Sequence, residues 1–204
     1  MNRRKRVAIF VSGSGTNMEN IAKRAQSGEL NCDIALVVCD NPKAFALIRA
    51  KKLGLNTFVI ERKNYLSKSE FEAQIDKKLG ETGIEAIFLA GYMRILGPEF
   101  VRKWAGKILN IHPSLLPKFP GTCAIKDAFE AKENRTGVTV HFVDEGVDSG
   151  PVILQRPVSI QANDTFDTLE ARVHETEYQI YPEAIQLFLE GKITLQNNKV
   201  KIQK

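Results

Sequence analysis

The sequence has few of the residues that build disulfide frameworks or metal sites. Its cysteines are odd in number and include no C-x-x-C pair, so neither a disulfide framework nor a zinc site is indicated; they are Cys32, Cys39 and Cys123. Its histidines lack ligand spacing such as H-x-x-x-H, and they are His112, His141 and His174. Because free thiols are typical of a reducing compartment, we expect a cytoplasmic protein. Because neither the cysteines nor the histidines have ligand spacing, we expect no metal.

Long apolar runs are also missing. A membrane-spanning helix needs about 18 consecutive apolar residues, and no run in the sequence approaches that length. The basic start of the chain is followed by an apolar run of only Val7 to Val11, which is too short for the core of a signal peptide. We therefore expect neither secretion nor a membrane partner.

Positive charge is concentrated at the two ends of the chain. The net charge is +5, and residues 3–6 alone contribute +4. Further lysines lie at the C-terminus, at positions 199, 201 and 204. A nucleic-acid interface would gather its basic residues on one face, with aromatic residues between them. We interpret the basic ends as solvated tails and expect no nucleic-acid partner.

The remaining composition is that of an ordinary globular protein. Hydrophobic residues make up 43% of the 204 residues and charged residues 26%. No repeat, low-complexity segment or linker divides the chain. We predict a single domain over residues 1–204, with a basic tail at 1–6 and a C-terminal hairpin or tail at 193–204.

Short apolar runs alternate with helical segments in the first half of the sequence. Strands are predicted at 7–11, 34–38, 57–60 and 86–90, and helices at 17–26, 43–53 and 67–79. Apolar strands separated by helices indicate crossover connections and a parallel sheet covered on both faces. The predicted fold class is α/β, a Rossmann-like, mostly parallel sheet with helices on both faces. Such sheets bind ligands at the carboxyl ends of their strands.

The second half has a different pattern. Strands are predicted at 107–112, 137–143 and 151–158, followed by one long helix over 164–190. Asp164 or Thr165 is its predicted cap, and Pro182 is expected to break or kink it. The segments 193–195 and 200–202, on either side of Asn197-Asn198, predict a hairpin.

A glycine-containing loop, Ser12-Gly13-Ser14-Gly15-Thr16-Asn17, lies between the first strand and the first helix. Its glycines allow close backbone approach, and the helix start favours an anion such as phosphate. Met18 stands where a dinucleotide fingerprint would need its third glycine, and no P-loop Gly-Lys-Ser/Thr follows. A monophosphate site is one interpretation, and a plain turn between strand and helix is the other.

A second candidate site is Asn110-Ile111-His112-Pro113. Residues two apart in a strand point to the same side, so Asn110 and His112 are expected to face one pocket. Pro113 places the pair near the strand end. His112 can exchange protons near neutral pH, and the Asn110 amide can donate to an oxyanion. The alternative is a structural histidine at a strand end.

A third candidate is the loop from Asp144 to Gly150, which carries two aspartates and two glycines. An aspartate that faced His112 would favour the imidazolium form. Composition alone favours a solvated turn. Nearby His141 lies in an alternating run, where a structural role is favoured over metal binding. No nucleophile signature is present, and a His, Asn and Asp set without a nucleophile suits direct acyl-type transfer between two small molecules.

The stretches that carry chemistry also resemble one family. The resemblance is carried by NIHPSLLP at 110–117, FPG at 119–121, HFVD at 141–144, DSGP at 148–151 and AGYMRIL at 90–96, together with SGSGTN at 12–17. By these motifs, over residues 6–190, the chain is identified as a member of the folate-dependent formyltransferase family of purine biosynthesis. The resemblance implies the formyltransferase fold. It also implies transfer of a formyl group from the co-substrate 10-formyltetrahydrofolate to the glycinamide amine of 5′-phosphoribosylglycinamide, by a monomer or weak homodimer.

The resemblance implies a role for each matching residue. His112 is expected to move protons, Asn110 to bind the formyl oxygen, and Asp148 to orient or charge His112. The implied substrate-binding residues are Gly15, Thr16 and Asn17 at the phosphate, with Pro113 and, on the ribose side, Glu177. The implied folate-binding residues are Lys68, Met93, Arg94, Ile95, Leu96, Asn110, Val143 and Asp144. Some relatives have arginine in place of Lys68. Lysine keeps the positive charge, but it lacks the guanidinium that can bind a carboxylate with two hydrogen bonds.

Three rival functions are weighed against this one. A formyltetrahydrofolate deformylase is expected to carry an extra N-terminal domain, whereas about six residues precede the first predicted strand here. A methionyl-tRNA formyltransferase is expected to carry a C-terminal RNA-binding domain. A dinucleotide-binding module would use Asp40 as its ribose-binding acid, but Met18 and the Asn110, His112 and Asp148 set argue against it.

Overall fold

The structure, a computed structural model, describes residues 3–196 and 199–203. The chain divides into two compact units, residues 1–109 and residues 110–204. The boundary falls inside the strand Ile108–His112. The single formyltransferase domain over 1–204 stays a prediction.

The first unit alternates strands and helices, as the sequence predicts. Its elements in chain order are β1 (Lys5–Val11), α1 (Thr16–Ser27), β2 (Cys32–Cys39), α2 (Phe45–Lys52), β3 (Thr57–Val59), a 3₁₀ turn (Arg62–Asn64), α3 (Lys68–Glu81), β4 (Ala86–Leu89) and α4 (Pro98–Lys103). β5 (Ile108–His112) begins in this unit. The strand order is β3-β2-β1-β4-β5. β1 pairs in parallel with β2 and β4, and β2 with β3.

The apolar strands form the core of the first unit. Val7 to Val11 of β1 are fully buried, as expected for a strand with both faces covered. α1 packs against α2, and α3 against α4. Ser67 caps α3, accepting a hydrogen bond from Glu70 N at 3.0 Å. The mostly parallel sheet with its helices confirms the predicted fold class.

The basic start of the chain is more ordered than a solvated tail. Lys5 and Arg6 belong to β1. The Arg6 guanidinium donates to Thr82 O at 2.9 Å and forms an ion pair with Asp33 at 3.1 Å. Arg3 forms an ion pair with Glu85 at 2.9 Å. Acidic groups of the same unit therefore offset part of this positive charge.

The second unit contains the end of β5, α5 (Ala124–Glu130), β6 (Arg135–Phe142), β7 (Val152–Ser159), α6 (Phe166–Leu189), β8 (Ile193–Gln196) and β9 (Lys199–Ile202). β6 lies between β5 and β7, and it pairs with β7 in antiparallel orientation. α6 packs on β6 and β7. β8 and β9 form the predicted hairpin, although its turn at Asn197-Asn198 lies outside the described residues.

One sequence prediction needs correction, and two short helices were not among the predicted elements. α6 continues through Pro182, which is buried within it, so the predicted break is wrong. The proline forfeits one helical hydrogen bond, and a buried face that includes Ile180, Tyr181 and Ala184 offsets that loss. α4 and α5 were not predicted, because helices of six and seven residues show little apolar periodicity.

None of the helices within the described residues combines the length and apolar character that a membrane crossing requires.

Candidate active site

The glycine loop, defined as residues 12–17, joins β1 to α1 in the first unit. Backbone hydrogen bonds fix it, since Ser12 N donates to Gly91 O and Ala46 N donates to Gly13 O, both at 3.0 Å. Gly15 is the N-cap of α1, with φ of 74°. A Cβ at this position would lie 2.5 Å from the Cβ of Ala46, so both backbone conformation and space require glycine here.

The start of α1 is suited to an anion. No side chain caps this helix end, which begins at Thr16. The N–H groups of a first helical turn and the positive end of the dipole both favour a negative group. Arg49 is close by, donating to Ser14 O at 3.0 Å, but it is also paired with Glu19. The anion-binding capacity therefore comes mainly from the backbone.

A cavity of about 300 Å³ lies within the first unit. It is lined by Arg62, Lys68, Phe71, Glu72, Tyr92, Met93, Arg94 and Ile95. Three of these side chains are cations, and four are apolar or aromatic. Such a lining suits a ligand with an apolar or aromatic body and at least one negative group.

The predicted folate residues Lys68, Met93, Arg94 and Ile95 all line this cavity. Met93 and Ile95 are large apolar side chains with 62% and 61% of their surface exposed, and Leu96 next to them is buried. Met93 N donates to Ser12 Oγ at 2.9 Å, so this segment is anchored on the glycine loop. Exposed apolar groups held on an anchored segment are available for contact with a ligand.

Asp40 forms an ion pair with Arg94. Its carboxylate is only 6% exposed, and the Arg94 guanidinium also lies 5.8 Å from the centre of the Phe71 ring. A dinucleotide site would use Asp40 as its ribose-binding acid. Its partner in the structure is instead a cation of the cavity wall.

The second unit holds the Asp148 cluster, defined as Asp148 with Asn110, His112 and His141. Asp148 Oδ2 lies 3.4 Å from His112 Nδ1, and its Oδ1 accepts from Asn110 Nδ2 at 3.4 Å. Gly121 N also donates to Oδ2, at 2.8 Å. Asn110 and His112 come from alternate positions of β5, as predicted, and Asp148 comes from the predicted loop. The structure therefore brings the three predicted catalytic residues together.

His112 faces acceptors at both ring nitrogens. Nε2 lies 2.8 Å from the carbonyl oxygen of Phe119, which can only accept, so Nε2 carries a proton. Nδ1 faces the Asp148 carboxylate. An imidazolium, which donates at both nitrogens, matches these two partners. The ring is 4% exposed, so these partners act with little competition from water.

His141 orients the Asn110 amide. Its Nδ1 donates to Phe142 O at 2.8 Å, which leaves Nε2 as the acceptor for Asn110 Nδ2 at 3.1 Å. Burial is the main cause that lowers the pKa of His141, opposed by the Phe142 hydrogen bond and by nearby Asp148. A neutral His141 thus accepts from the amide. The alternating pattern around His141 predicts a structural role but gives no signal for this contact with Asn110.

Buried hydrogen bonds fix the loop that carries Phe119. Thr139 Oγ1 donates to Ser114 O at 2.6 Å and accepts from Leu116 N at 3.1 Å. Gln155 Nε2 donates to Leu116 O and to Thr139 Oγ1, at 2.8 and 2.9 Å. These bonds fix the backbone three and five residues before the carbonyl that binds His112.

The loop that presents Asp148 is tightly folded. Asp148 has φ of 50°, a left-handed conformation that aspartate tolerates better than most residues. Asp144 Oδ1 accepts from Gly146 N at 3.1 Å and from Ser149 Oγ at 2.7 Å. A Cβ at position 150 would lie 1.8 Å from Phe142 O, so only glycine fits there. The acidic loop is therefore a built turn and not merely a solvated one.

Two further predicted residues also lie in the second unit. Pro113 directly follows β5. Glu177 of α6 is 4% exposed, and its Oε2 lies 2.8 Å from His174 Nδ1. That hydrogen bond is the main cause that raises the pKa of His174. Over residues 3–196 and 199–203, no group of three His, Cys, Asp or Glu side chains is placed to hold a metal ion.

The chain is similar to known proteins over nearly its full length. The formyl transferase family model matches residues 5–185. A phosphoribosylglycinamide formyltransferase of Haemophilus influenzae is 44% identical over 194 residues, which are 95% of this chain and 92% of that protein. A trifunctional purine biosynthetic protein of Gallus gallus is 45% identical over 188 residues, 92% of this chain and 19% of that protein.

A solved structure shows the same fold. The crystal structure of glycinamide ribonucleotide transformylase 1 from Symbiobacterium toebii matches with a TM-score of 0.96 at 38% identity, covering 100% of this chain and 96% of that one. The family match spans most of the chain, and the fold agrees with it. The chain therefore belongs to the formyl transferase family and is an enzyme that transfers formyl groups.

Proposed function

We propose that the protein transfers the formyl group of 10-formyltetrahydrofolate to the glycinamide amine of 5′-phosphoribosylglycinamide, in purine biosynthesis. The names of its relatives support the acceptor and the pathway. The observation that carries the proposed mechanism is the partly buried Asp148 carboxylate, which contacts both the His112 ring and the Asn110 amide. This arrangement suits acyl transfer without a covalent intermediate, because it offers a proton carrier and an amide donor but no nucleophile.

In the proposed reaction, the acceptor amine attacks the formyl carbon and the carbonyl oxygen becomes an oxyanion. The Asn110 amide and the His112 ring would each donate an N–H group to that charge. In the structure these groups bind other acceptors, so the step requires that His112 Nε2 leave Phe119 O and that Asn110 Nδ2 leave Asp148 or His141. Collapse breaks the bond between the formyl carbon and the folate nitrogen. His112 gives that nitrogen its proton, and the proton lost by the amine restores the imidazolium directly or through water. Asp148 holds the ring in place through the contact at Nδ1.

The proposal assigns the phosphate of the acceptor to Gly15, Thr16 and Asn17. The uncapped start of α1 and the close approach that Gly15 permits support this assignment. Pro113 and Glu177 of the second unit are assigned to the rest of the acceptor. The buried carboxylate of Glu177 is an acceptor suited to ribose hydroxyls.

The folate co-substrate is assigned residues in each unit. In the first unit, Met93, Ile95 and Leu96 would contact its rings, and Lys68 and Arg94 its glutamate carboxylates. The mixed apolar and cationic lining of the cavity supports this assignment. In the second unit, the proposed folate contacts are Asn110, Val143 and Asp144. A cytoplasmic location, a monomer or weak homodimer, and independence from metal all stay predictions.

The absorbance change that accompanies loss of the formyl group from 10-formyltetrahydrofolate tests this function. We expect turnover that requires phosphoribosylglycinamide and that persists in the presence of a metal chelator. Equal turnover without the acceptor would identify water as the acceptor, and the protein as a deformylase. No turnover with both substrates present would contradict the proposal.

A further inference from the structure

Glu72 is a buried carboxylate in the wall of the cavity that the sequence analysis did not single out. It lies one turn after Lys68 in α3 and is 7% exposed. Its Oε1 accepts a hydrogen bond from Gly97 N at 2.7 Å, and Lys68 Nζ lies 3.9 Å from the same oxygen. Burial is the main cause that raises the pKa of Glu72, and the Gly97 hydrogen bond and Lys68 oppose it.

The bond between Glu72 and Gly97 joins two walls of the cavity. α3 contributes Lys68 and Phe71, and the segment just before Gly97 contributes Met93 and Ile95. The fit at this bond is close, because a Cβ at position 97 would lie 2.4 Å from Glu72 Oε2. A charge-assisted hydrogen bond in a buried place is a strong local restraint. Its removal would loosen one wall against the other.

Glu72 also sets the charge that a ligand meets. The cationic lining residues are Arg62, Lys68 and Arg94, and Arg94 is already paired with Asp40. A ligand carboxylate that approaches Lys68 would find Glu72 beside it, and like charges at such distances repel. The Glu72 carboxylate also repels each further negative charge on the ligand. Solvent and salt weaken this repulsion for the ligand charges that lie farther from Glu72.

We propose that Glu72 is a positioning residue that selects ligands by charge: it holds the Met93–Ile95 wall through Gly97 N and limits the number of negative charges that the cavity accepts. The inference rests on the proposed function for the identity of the ligand, a folate whose tail ends in one or more glutamates. It assigns no chemical step to Glu72. Its consequence is that each added glutamate raises the affinity less than it would beside a neutral side chain at position 72.

The test measures dissociation constants of tetrahydrofolate with one and with three glutamates, by calorimetry on the whole protein. Glu72→Gln keeps an oxygen acceptor for Gly97 N and removes the charge. We expect the preference for the triglutamate over the monoglutamate to rise about 3- to 10-fold in this variant. Glu72→Ala removes the acceptor too, so we expect the same rise in preference together with monoglutamate binding about 10-fold weaker.

Asp76→Asn is the matched control. Asp76 lies one turn further along α3, accepts from Trp104 Nε1 at 3.0 Å and pairs with Lys103, but it does not line the cavity. It therefore also ties α3 to α4, and its loss should lower stability without changing the tail preference. If the change in tail preference came from a general loosening of the first unit, Asp76→Asn would show it as well as Glu72→Gln.

Each result has a defined meaning. An unchanged preference in Glu72→Gln would overturn the charge role, and wild-type monoglutamate binding by Glu72→Ala would overturn the positioning role. Should Glu72→Ala fail to fold, Gly97→Ala, whose Cβ displaces the carboxylate, replaces it in the positioning test. Failure of the wild-type protein to bind either tetrahydrofolate would instead reject the proposed function, and this inference with it.

Discussion

The glycine loop of the first unit and the Asp148 cluster of the second are built on opposite principles. The loop is fixed by backbone hydrogen bonds and by the close approach of Gly15 to Ala46. The cluster is fixed by side chains that bind one another, with Asp148 in contact with both His112 and Asn110. A backbone site suits a ligand group that stays unchanged, such as phosphate, because its donors cannot titrate. A side-chain site suits proton transfer, because its charge can move.

The largest expected effect comes from Asp148→Asn, which breaks the cluster. An amide has one oxygen where the carboxylate has two, so it cannot keep the contacts with His112, Asn110 and Gly121 together, and the His112 ring loses the carboxylate that faces Nδ1. We expect kcat to fall by about 10²- to 10⁴-fold with little change in the thermal unfolding midpoint. Steady-state kinetics and thermal unfolding measure the two quantities.

Glu145→Gln is the control for that variant, since Glu145 is an exposed acid of the same loop. We expect near wild-type kcat from it. An Asp148→Asn enzyme with wild-type kcat would show that the Asp148 cluster has only a structural role. The cluster would then not differ from the glycine loop in supporting proton transfer.

The second effect concerns the glycine loop. Gly15→Ala meets both a positive φ and a Cβ contact of 2.5 Å with Ala46, whereas Gly28→Ala meets a φ of 85° with open space around it. We expect Gly28→Ala to lower the free energy of unfolding by about 1–2 kcal/mol. Gly15→Ala should lower it by about 1–3 kcal/mol more. Urea unfolding of both variants measures the free energy of unfolding. Equal losses in the two variants would show that the glycine loop adjusts to the added Cβ at little cost.

The third effect concerns the support of the cluster. Thr139→Val keeps the shape of the side chain and removes its hydrogen bonds to Ser114, Leu116 and Gln155. We expect a loss of about 1–3 kcal/mol in stability, and a lower kcat, because the loop that carries Phe119 would shift. Thr139→Ser retains the hydroxyl and should retain most of kcat. Equal kcat values for the valine and serine variants would exclude a positioning role.

The smallest effect distinguishes two histidines by pH. Glu177 raises the pKa of His174, so the folded state binds its proton more tightly than the unfolded state does. This contribution is full below the ordinary pKa of 6.5 and is lost as pH rises through the higher folded value. Because His174 has 41% of its side chain exposed, the contribution is small.

For His141 the sign is opposite. Its pKa is lowered, so its contribution is full above 6.5 and is lost as pH falls through the folded value. NMR titration of the ring protons measures both pKa values. We expect His174 to titrate above 6.5 and His141 below it. A His141 that titrates above 6.5 would contradict its role as a neutral acceptor for Asn110.

The two regions also differ in how far the sequence predicts them. Alternation in β5 predicts that Asn110 and His112 share a side, and the glycine loop is recognised from the order of strand, turn and helix. Both signals are local. The contact between Glu72 and Gly97 spans 25 residues and depends on the packing of α3 against α4. No periodicity of the sequence encodes such a contact.

Some of what the sequence analysis missed did leave a local signal. α4 begins with Pro98 directly after Gly97 and has Glu99 in its first turn, a pattern typical of a helix start. His141 shares its face of β6 with Thr139, two residues earlier, so the alternation there already separates both from the apolar positions. Pro182 is a local signal that predicts a helix break, but α6 continues through it because the buried packing of the helix outweighs the local penalty of the proline.

The central claim is that His112 moves the proton of the transfer. The most direct test is formyl transfer from 10-formyltetrahydrofolate to phosphoribosylglycinamide by His112→Ala, with thermal unfolding recorded on the same sample. We expect a folded protein whose kcat is lower by about 10²- to 10⁴-fold. A folded His112→Ala protein that transfers the formyl group at the wild-type rate would contradict the account.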